Sequence, residues 1–288
     1  MGWEYRHGKT RQYFYKSYKI NGKVKKTYYG CGEIAELFSA LDAERKWQRE
    51  QARIERERLA SIDRQVDEFS TLVDGIAVGF LVCRGYYRHK GNRSDWRKRR
   101  NFTDYIDLRI FEDKSMTTLN TKGIDMKDIH ENLQQFVQQG ENGDANAIMA
   151  LQPIVRDVAV YEHVIDLGKE VKSRLTNYVA GGDPEIQENL LAEMKMRKDA
   201  FIQAVAPASQ FEQYMFSLLA EEMEICRIQS RHADTVDARH SPQEATQKRQ
   251  DRAHKRYQNA IRTTAQVYNA LKGRPSLQVN VAQNQIVA

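Results

Sequence analysis

The stretch from residue 33 to residue 74 contains neither proline nor glycine, which limits the chain to folds that hold a long helix. At its start an apolar stripe recurs at helical spacing, formed by Ile34, Leu37, Phe38 and Leu41. A second stripe has a coiled-coil-like spacing and consists of Leu59, Ile62, Val66, Phe69, Val73 and Ile76. The residues between the two stripes are mostly charged or Gln. We predict one long helix, or two helices with a bend.

Residues 12–30 combine aromatic and β-branched side chains with Asn21-Gly22 at their centre. Asn-Gly is the strongest short signal for a β-hairpin, because both residues tolerate the positive φ angles of a type I′ turn. Such a turn pairs Lys19 with Val24, Tyr15 with Tyr28 and Phe14 with Tyr29. Residues 2–7 could add a third strand, and the first apolar stripe could cover one face of this sheet.

The rest of the chain is mainly helical in pattern. Helices are predicted from residue 128, after a turn at 140–147, and over 154–179, 185–204, 208–236 and 242–272, the last beginning at a Ser241-Pro242 cap. The fold class is therefore α+β, predominantly α. The predicted parts are a hairpin-plus-helix module (1–45), a charged coiled-coil-like helix (46–83), a basic loop and irregular segment (84–125), a helical bundle (126–274) and a strand-like tail (275–288). Within the third part, residues 84–100 suit a loop or a short helix.

Charge is distributed unevenly. The chain carries a formal charge of +6, but its first hundred residues hold 23 Lys and Arg against 13 Asp and Glu, and the rest is mildly acidic. Two segments supply the excess, residues 1–30 and residues 84–100, and each has eight basic residues and one acid. Blocks of one sign usually mark a solvated or interacting surface.

Both basic segments contain aromatic side chains, a combination that suits a nucleic-acid backbone. In the hairpin, the candidate binding residues are Lys16, Lys19, Lys23, Lys25, Lys26, Tyr13, Tyr15 and Tyr28. In the second segment they are Arg88, His89, Lys90, Arg93, Trp96, Arg97, Lys98, Arg99 and Arg100. Two alternatives stay open: the hairpin could be a solubilised sheet, and the second segment could cap a helix and pair with the acidic half of the chain.

Signals for an enzyme or a metal site are weak. The three cysteines are far apart, the histidines have no ligand spacing, and no phosphate-binding glycine loop or nucleophile elbow occurs. Polar residues on two predicted neighbouring helices could support acid–base chemistry: Glu221, Glu222, Glu224, Arg227, His232, Arg249, Asp251, Arg252, His254, Arg256 and Tyr257. Ion pairs between antiparallel helices are the favoured interpretation. We therefore expect no enzyme activity, no cofactor and no metal.

The pattern of residues 8–30 resembles the small arm-binding modules of tyrosine recombinases and short modules of transposon-associated proteins. The residues that carry the likeness are Tyr13, Tyr15, Tyr18, Asn21, Gly22, Lys23, Tyr28 and Gly30. This resemblance implies a three-stranded sheet that enters a DNA groove, with one helix packed behind it. The catalytic set of a recombinase cannot be laid out on the remainder of the chain.

The whole chain also resembles a family of uncharacterised bacterial proteins. The likeness rests on MGWE, GYYRHK, WRKRR, RQDRAHKRYQNAIRT and QVNVAQNQ, and it implies no activity. The sequence thus predicts a non-enzymatic nucleic-acid-binding accessory protein of a mobile element or regulatory system, with double-stranded DNA favoured over RNA. The alternatives are RNA binding, or a scaffold that oligomerises through its helical region and binds an acidic partner. The longest apolar run, residues 76–83, is too short to span a membrane, so we expect a soluble, cytoplasmic protein.

Overall fold

The structure is a computed structural model that describes residues 2–5, 12–89, 92–99, 126–237 and 244–272. The chain divides into an N-terminal unit, Met1–Ser61, and a C-terminal unit, Ile62–Ala288. This boundary lies beyond residue 45, where the predicted first module ends, because the helix that starts in the N-terminal unit runs on without a break. The described residues form seven helices and two small antiparallel sheets, which confirms the predicted α+β class with helix predominant.

The N-terminal unit contains an antiparallel sheet in the order β1-β2-β3, formed by Gly2–Tyr5, Gln12–Ile20 and Lys23–Cys31. The turn has positive φ at both Asn21 (50°) and Gly22 (78°), as the type I′ prediction requires. Strand β1 confirms the predicted third strand. The predicted pairs Lys19–Val24 and Tyr15–Tyr28 are present.

One predicted pair is wrong. Phe14 lies opposite Gly30 rather than Tyr29, because the register shifts between Phe14 and Tyr15 and leaves Tyr29 as the extra residue of a β-bulge. Gly30 has a φ of 120°, which favours glycine. The bulge lets the Tyr29 ring meet Phe38, with ring centroids 5.0 Å apart.

Residues Glu33–Cys83 form a single helix, α1, so of the two predicted alternatives the one long helix is confirmed. The first apolar stripe covers the sheet less fully than predicted. Ile34 and Leu37 are 64% and 60% exposed, whereas Ala35 is fully buried and Phe38 meets Tyr29. The helix therefore turns Ala35 and the edge of the stripe toward the sheet and leaves most of the stripe in solvent.

In the C-terminal unit, β4 (Tyr86–His89) and β5 (Asn92–Lys98) form an antiparallel hairpin. The prediction of a loop or short helix over 84–100 is therefore wrong. The misleading feature was the density of Arg and Lys, because strand preference reflects how side chains pack rather than composition alone. Here Trp96 lies opposite Arg88 and is partly buried against the bundle core.

The remaining helices are α2 (Met126–Glu141), α3 (Ala145–Arg156), α4 (Val158–Val179), α5 (Pro184–Val205), α6 (Gln210–Asp237) and α7 (Glu244–Lys272). The predicted helix over 154–179 is interrupted at Asp157, which ends α3 and caps α4, since its carboxylate accepts a hydrogen bond from Ala159 N at 2.9 Å. The other predicted helices are confirmed to within a few residues. The predicted cap at Ser241-Pro242, the segment 101–125 and the tail 275–288 lie outside the described residues.

The core of the C-terminal unit is built around the second stripe of α1. Val66, Phe69, Val73 and Ile76 are fully buried with side chains from α2, α3, α4 and α6. Helices α6 and α7 run antiparallel, because Gln250 contacts Asp234 while Tyr268 contacts Phe216. Over the residues that the structure describes, no helix is both long and apolar enough to cross a membrane.

Candidate nucleic-acid interface

The two faces of the N-terminal sheet differ. Side chains alternate along a strand, so Phe14 and Lys16 lie on one face of β2 and Tyr15 lies on the other. The Phe14 ring packs with Trp3 at 5.3 Å and with Tyr29 at 6.5 Å, and Tyr29 in turn meets Phe38 of α1. We call this the helix-side face, and the opposite one the tyrosine face.

The tyrosine face brings together the three predicted tyrosines. Tyr28 lies between the other two, with ring centroids 6.0 Å from Tyr13 and 5.5 Å from Tyr15 and tilts near 48°. Tyr13 is nearly buried, whereas Tyr28 is 47% exposed. Three rings that pack against one another form a firm platform, of which Tyr28 contributes the largest exposed part.

The five predicted lysines of the hairpin are divided between the faces. The register pairs Lys16 with Thr27, Tyr18 with Lys25 and Ile20 with Lys23, and the hydrogen bond from Thr27 Oγ1 to Tyr18 Oη (3.1 Å) joins two of these pairs. Lys16, Lys23 and Lys25 therefore lie on the helix-side face. Lys19 and Lys26 lie on the tyrosine face, where Lys26 forms an ion pair with Glu4 of β1. All but Lys16 are exposed.

In the second basic segment, two arginines contact the protein itself. Arg99 Nη2 donates to the backbone oxygens of Gly140 (3.2 Å) and Glu141 (3.0 Å), so it neutralises the carbonyl end of α2. Arg88 pairs with the Glu141 carboxylate (Nε–Oε1 3.0 Å) and lies 5.1 Å from the Trp96 ring centroid. Partial burial raises the pKa of Glu141, although the charge of Arg88 opposes the shift. For these two residues, the structure matches the alternative of a helix cap that pairs with the acidic half.

The other residues of this segment have different surroundings. Arg97 and Lys98 are exposed on β5, and the Lys98 ammonium lies 5.9 Å from the Tyr86 ring centroid. The backbones of His89 and Arg93 belong to the hairpin, whereas Lys90 and Arg100 lie outside the described residues. The structure thus separates Arg88 and Arg99, which anchor the hairpin to α2, from Arg97 and Lys98, which face solvent.

The polar residues weighed for catalysis form contacts between helices. His254 joins two residues of α6, with Nδ1 2.9 Å from Ser230 Oγ and Nε2 2.9 Å from Asp234 Oδ1. Ser, His and Asp are also the residue types of a catalytic triad, but here Ser230 is buried in the contact between α6 and α7. Arg227 pairs with Glu224 and Glu193. Arg249 and Arg256 pair with Asp63 and Asp67 of α1, a helix that the sequence argument did not connect to α7.

Two carboxyl groups lie in the bundle core. Glu222 is 1% exposed, and its Oε2 has no hydrogen-bond partner among the residues that the structure describes. Asp74 accepts a hydrogen bond from Thr263 Oγ1 at 2.8 Å. Burial raises the pKa of Asp74, and for Glu222 burial and the nearby Asp74 charge raise the pKa well above its ordinary value. Among the described residues, no group of three or more His, Cys, Asp or Glu side chains is arranged to hold a metal ion.

Comparisons with protein-family models, with curated proteins and with solved structures gave no match for this chain. The arrangement of its charges and rings therefore carries the functional argument. The sequence argument missed two features of that arrangement: the Glu4–Lys26 pair and the α1 partners of Arg249 and Arg256. The isolated acid in residues 1–30 was a signal for the first, since a single Glu among lysines is expected to pair with one of them.

Proposed function

We propose that this protein is a non-enzymatic nucleic-acid-binding accessory protein of a mobile element or regulatory system, acting in the cytoplasm on double-stranded DNA. The observation that carries the proposal is the composition of the β2-β3 hairpin, which has five lysines and exposed aromatic side chains. The single acid within residues 1–30 is Glu4, which pairs with Lys26. Lysines neutralise phosphates and release counterions, which supplies most of the affinity in sequence-independent binding.

The tyrosine platform favours a duplex over unpaired RNA. A protein that binds single strands offers ring faces on which successive bases stack. Here the rings of Tyr13, Tyr15 and Tyr28 pack on one another at tilts near 48°, so their faces are partly used within the protein. Edges and hydroxyl groups of such rings suit contacts with sugars and phosphates, which position a protein on a duplex.

The second basic segment has a divided role in this proposal. Arg97 and Lys98 are exposed and are assigned to phosphate contacts, as are His89, Lys90, Arg93 and Arg100 from the sequence pattern. Arg88, Arg99 and the partly buried Trp96 hold the hairpin against the bundle. Substitution of these three residues would therefore affect stability before it affects DNA contacts.

A scaffold that self-associates is the second candidate function, and one observation favours it. Ile34, Leu37 and Leu41 form an exposed apolar stripe on α1, and such stripes often pack against another helix. Sedimentation of the full chain over a range of concentrations, beside a DNA gel shift, separates the two functions. An oligomer without a DNA shift would favour the scaffold.

The test of DNA binding is the salt dependence of affinity for a labelled duplex of random sequence, measured by fluorescence anisotropy on the full chain. We expect the affinity to fall steeply with salt, by about 0.9 log unit per log unit for each phosphate neutralised. Changing Lys23, Lys25 and Lys26 to Ala should reduce the steepness of this fall in log affinity with log salt concentration, which we call the salt slope. A control with the same loss of charge changes Lys46, Lys169 and Lys195, which are exposed on helices. A flat response of the wild type, or tighter binding of a single-stranded RNA of equal length, would contradict the proposal.

A further inference from the structure

The outer half of the β2-β3 hairpin is a bare two-stranded ribbon. Strand β1 pairs with β2 only from Gln12 to Tyr15, so beyond Tyr15 the described residues contribute no third strand. Residues 17–26 are all exposed, and the hairpin pairing continues through them to the turn. Neither face of this ribbon is covered by another described part of the N-terminal unit.

The lysines of the ribbon lie on both of its faces. Lys23 and Lys25 share the helix-side face with the half-buried Lys16, and Lys19 and Lys26 lie on the tyrosine face. A sheet that meets DNA with the tyrosine face alone would direct the other three ammonium groups away from the phosphates. Charge on both faces is instead what a ribbon needs when phosphates lie on both sides of it.

The DNA major groove has phosphates on both of its sides. The groove is about 12 Å wide and admits a two-stranded β-ribbon, and the phosphates of the two DNA strands line its opposite walls. The minor groove of undeformed B-DNA is only about 6 Å wide, so a ribbon can enter it only where the duplex is bent or widened. Apolar side chains are also exposed near the turn, since Val24 is 67% and Ile20 is 43% exposed. Apolar groups at the groove floor can contact the methyl group of thymine.

We propose that residues 16–27 enter the major groove with the Asn21-Gly22 turn leading, so that lysines on the two faces bind phosphates of opposite DNA strands. Ile20 and Val24 then lie near the base edges, and the tyrosine platform stays outside the groove, because it is about six residues from the turn. This inference rests on the proposed function and specifies how the duplex is bound.

The test compares the two faces in the full chain. One variant removes the helix-side charges (Lys16, Lys23 and Lys25→Ala), and the other removes those of the tyrosine face (Lys19 and Lys26→Ala). With turn-first insertion, the salt slope falls by about 2.7 in the first variant and by about 1.8 in the second, since each contact contributes about 0.9. The control variant Lys46, Lys169 and Lys195→Ala should keep the wild-type slope, and circular dichroism checks that all three variants fold.

A modified duplex tests the groove itself. Groups attached to C5 of pyrimidines project into the major groove, so a duplex whose cytosines carry glucosyl-hydroxymethyl groups should bind at least tenfold more weakly than the plain duplex. Loss of slope in only one of the two face variants would overturn the inference in favour of flat docking, while DNA binding itself would stand. Equal binding of the plain and glucosylated duplexes would also overturn it. If the wild type binds no duplex, the proposed function fails, and this inference fails with it.

Discussion

Arg249 of α7 holds Asp63 of α1 through two hydrogen bonds, from Nε to Oδ2 at 2.8 Å and from Nη2 to Oδ1 at 3.3 Å. Gln229 of α6 donates to the same carboxylate at 2.8 Å, so one acid joins three helices. Two further contacts of the same kind follow along α1 and α7, Asp67 with Arg256 and Asp74 with Thr263. The residues on α7 are seven apart, which keeps them on one face. These contacts align α7 with α1 along a polar seam beside the apolar core.

Asp63→Ala should therefore destabilise the C-terminal unit. Asp63 and Arg249 are only 18% and 12% exposed in their side chains, and removing one partner leaves a poorly solvated charge. We expect a loss of about 2 to 4 kcal/mol in the free energy of unfolding, measured by urea denaturation. The double variant Asp63→Leu with Arg249→Met should recover part of the loss, because it removes both charges. The control is Asp166→Ala, which breaks an exposed pair with Lys169 and should leave the midpoint unchanged. Equal effects of Asp63→Ala and Asp166→Ala would count against the seam.

Arg97 and Arg99 are two residues apart and should behave differently when each is changed to Ala. Loss of Arg99 removes the hydrogen bonds to the end of α2, so backbone amides of 86–89 and 96–98 should exchange with deuterium faster. Because Arg97 is exposed, its loss should change amide exchange less than the loss of Arg99 does, and it should lower the salt slope of DNA binding by about 0.9. The two variants serve as controls for each other. Identical exchange and binding profiles would refute this division of roles.

Local patterns predicted the elements well, and distant contacts account for what they missed. The Asn21-Gly22 turn set the pairs Lys19–Val24 and Tyr15–Tyr28, because two-residue turns fix the register near them. The bulge at Tyr29 accompanies the contact of its ring with Phe38 of α1, and no turn rule includes such a contact.

The same limit applies to the candidate site. In the sequence Arg97 and Arg99 are equivalent members of one basic run, and only the position of the α2 carbonyl groups distinguishes them. The Asp63–Arg249 pair joins residues that are 186 positions apart, so a helical pattern can place each on a polar face but cannot select the partner. The sequence argument also treated the five hairpin lysines as one group, whereas the strand register divides them between two faces.

Glu222→Gln should stabilise the protein at neutral and alkaline pH. The folded-state pKa of Glu222 is raised well above 4.5 by burial and by Asp74. Below the unfolded-state pKa the carboxyl is neutral in both states. As the pH rises above that value the unfolded chain ionises first, so stability falls until the pH passes the folded-state pKa. Gln cannot ionise and avoids this loss.

The measurement for Glu222 is the difference in melting temperature between variant and wild type at about pH 5 and about pH 8. At the higher pH the Glu222→Gln variant should melt above the wild type, and by a larger margin than at the lower pH. The matched control Glu188→Gln changes an exposed glutamate of α5 and should show no such trend. A difference that does not vary with pH would mean that Glu222 is ionised in the folded protein.

Gly168→Ala tests the close contact between α4 and α1. A Cβ at this position would lie 2.9 Å from Cε2 and 3.0 Å from Cζ of the Phe69 ring, which is fully buried and has no room to retreat. Replacing a helical Gly by Ala normally gains about 1 kcal/mol, but forcing a methyl group into a packed core costs about 1 to 3 kcal/mol. Because the methyl group would overlap a fully buried ring, the cost of overpacking should exceed the gain in helix propensity. The free energy of unfolding should therefore fall. In a double-mutant cycle, Phe69→Leu should relieve the overlap, so that Gly168→Ala becomes neutral or stabilising in that background. Additive losses in the two variants would show that the helices are farther apart than this contact requires.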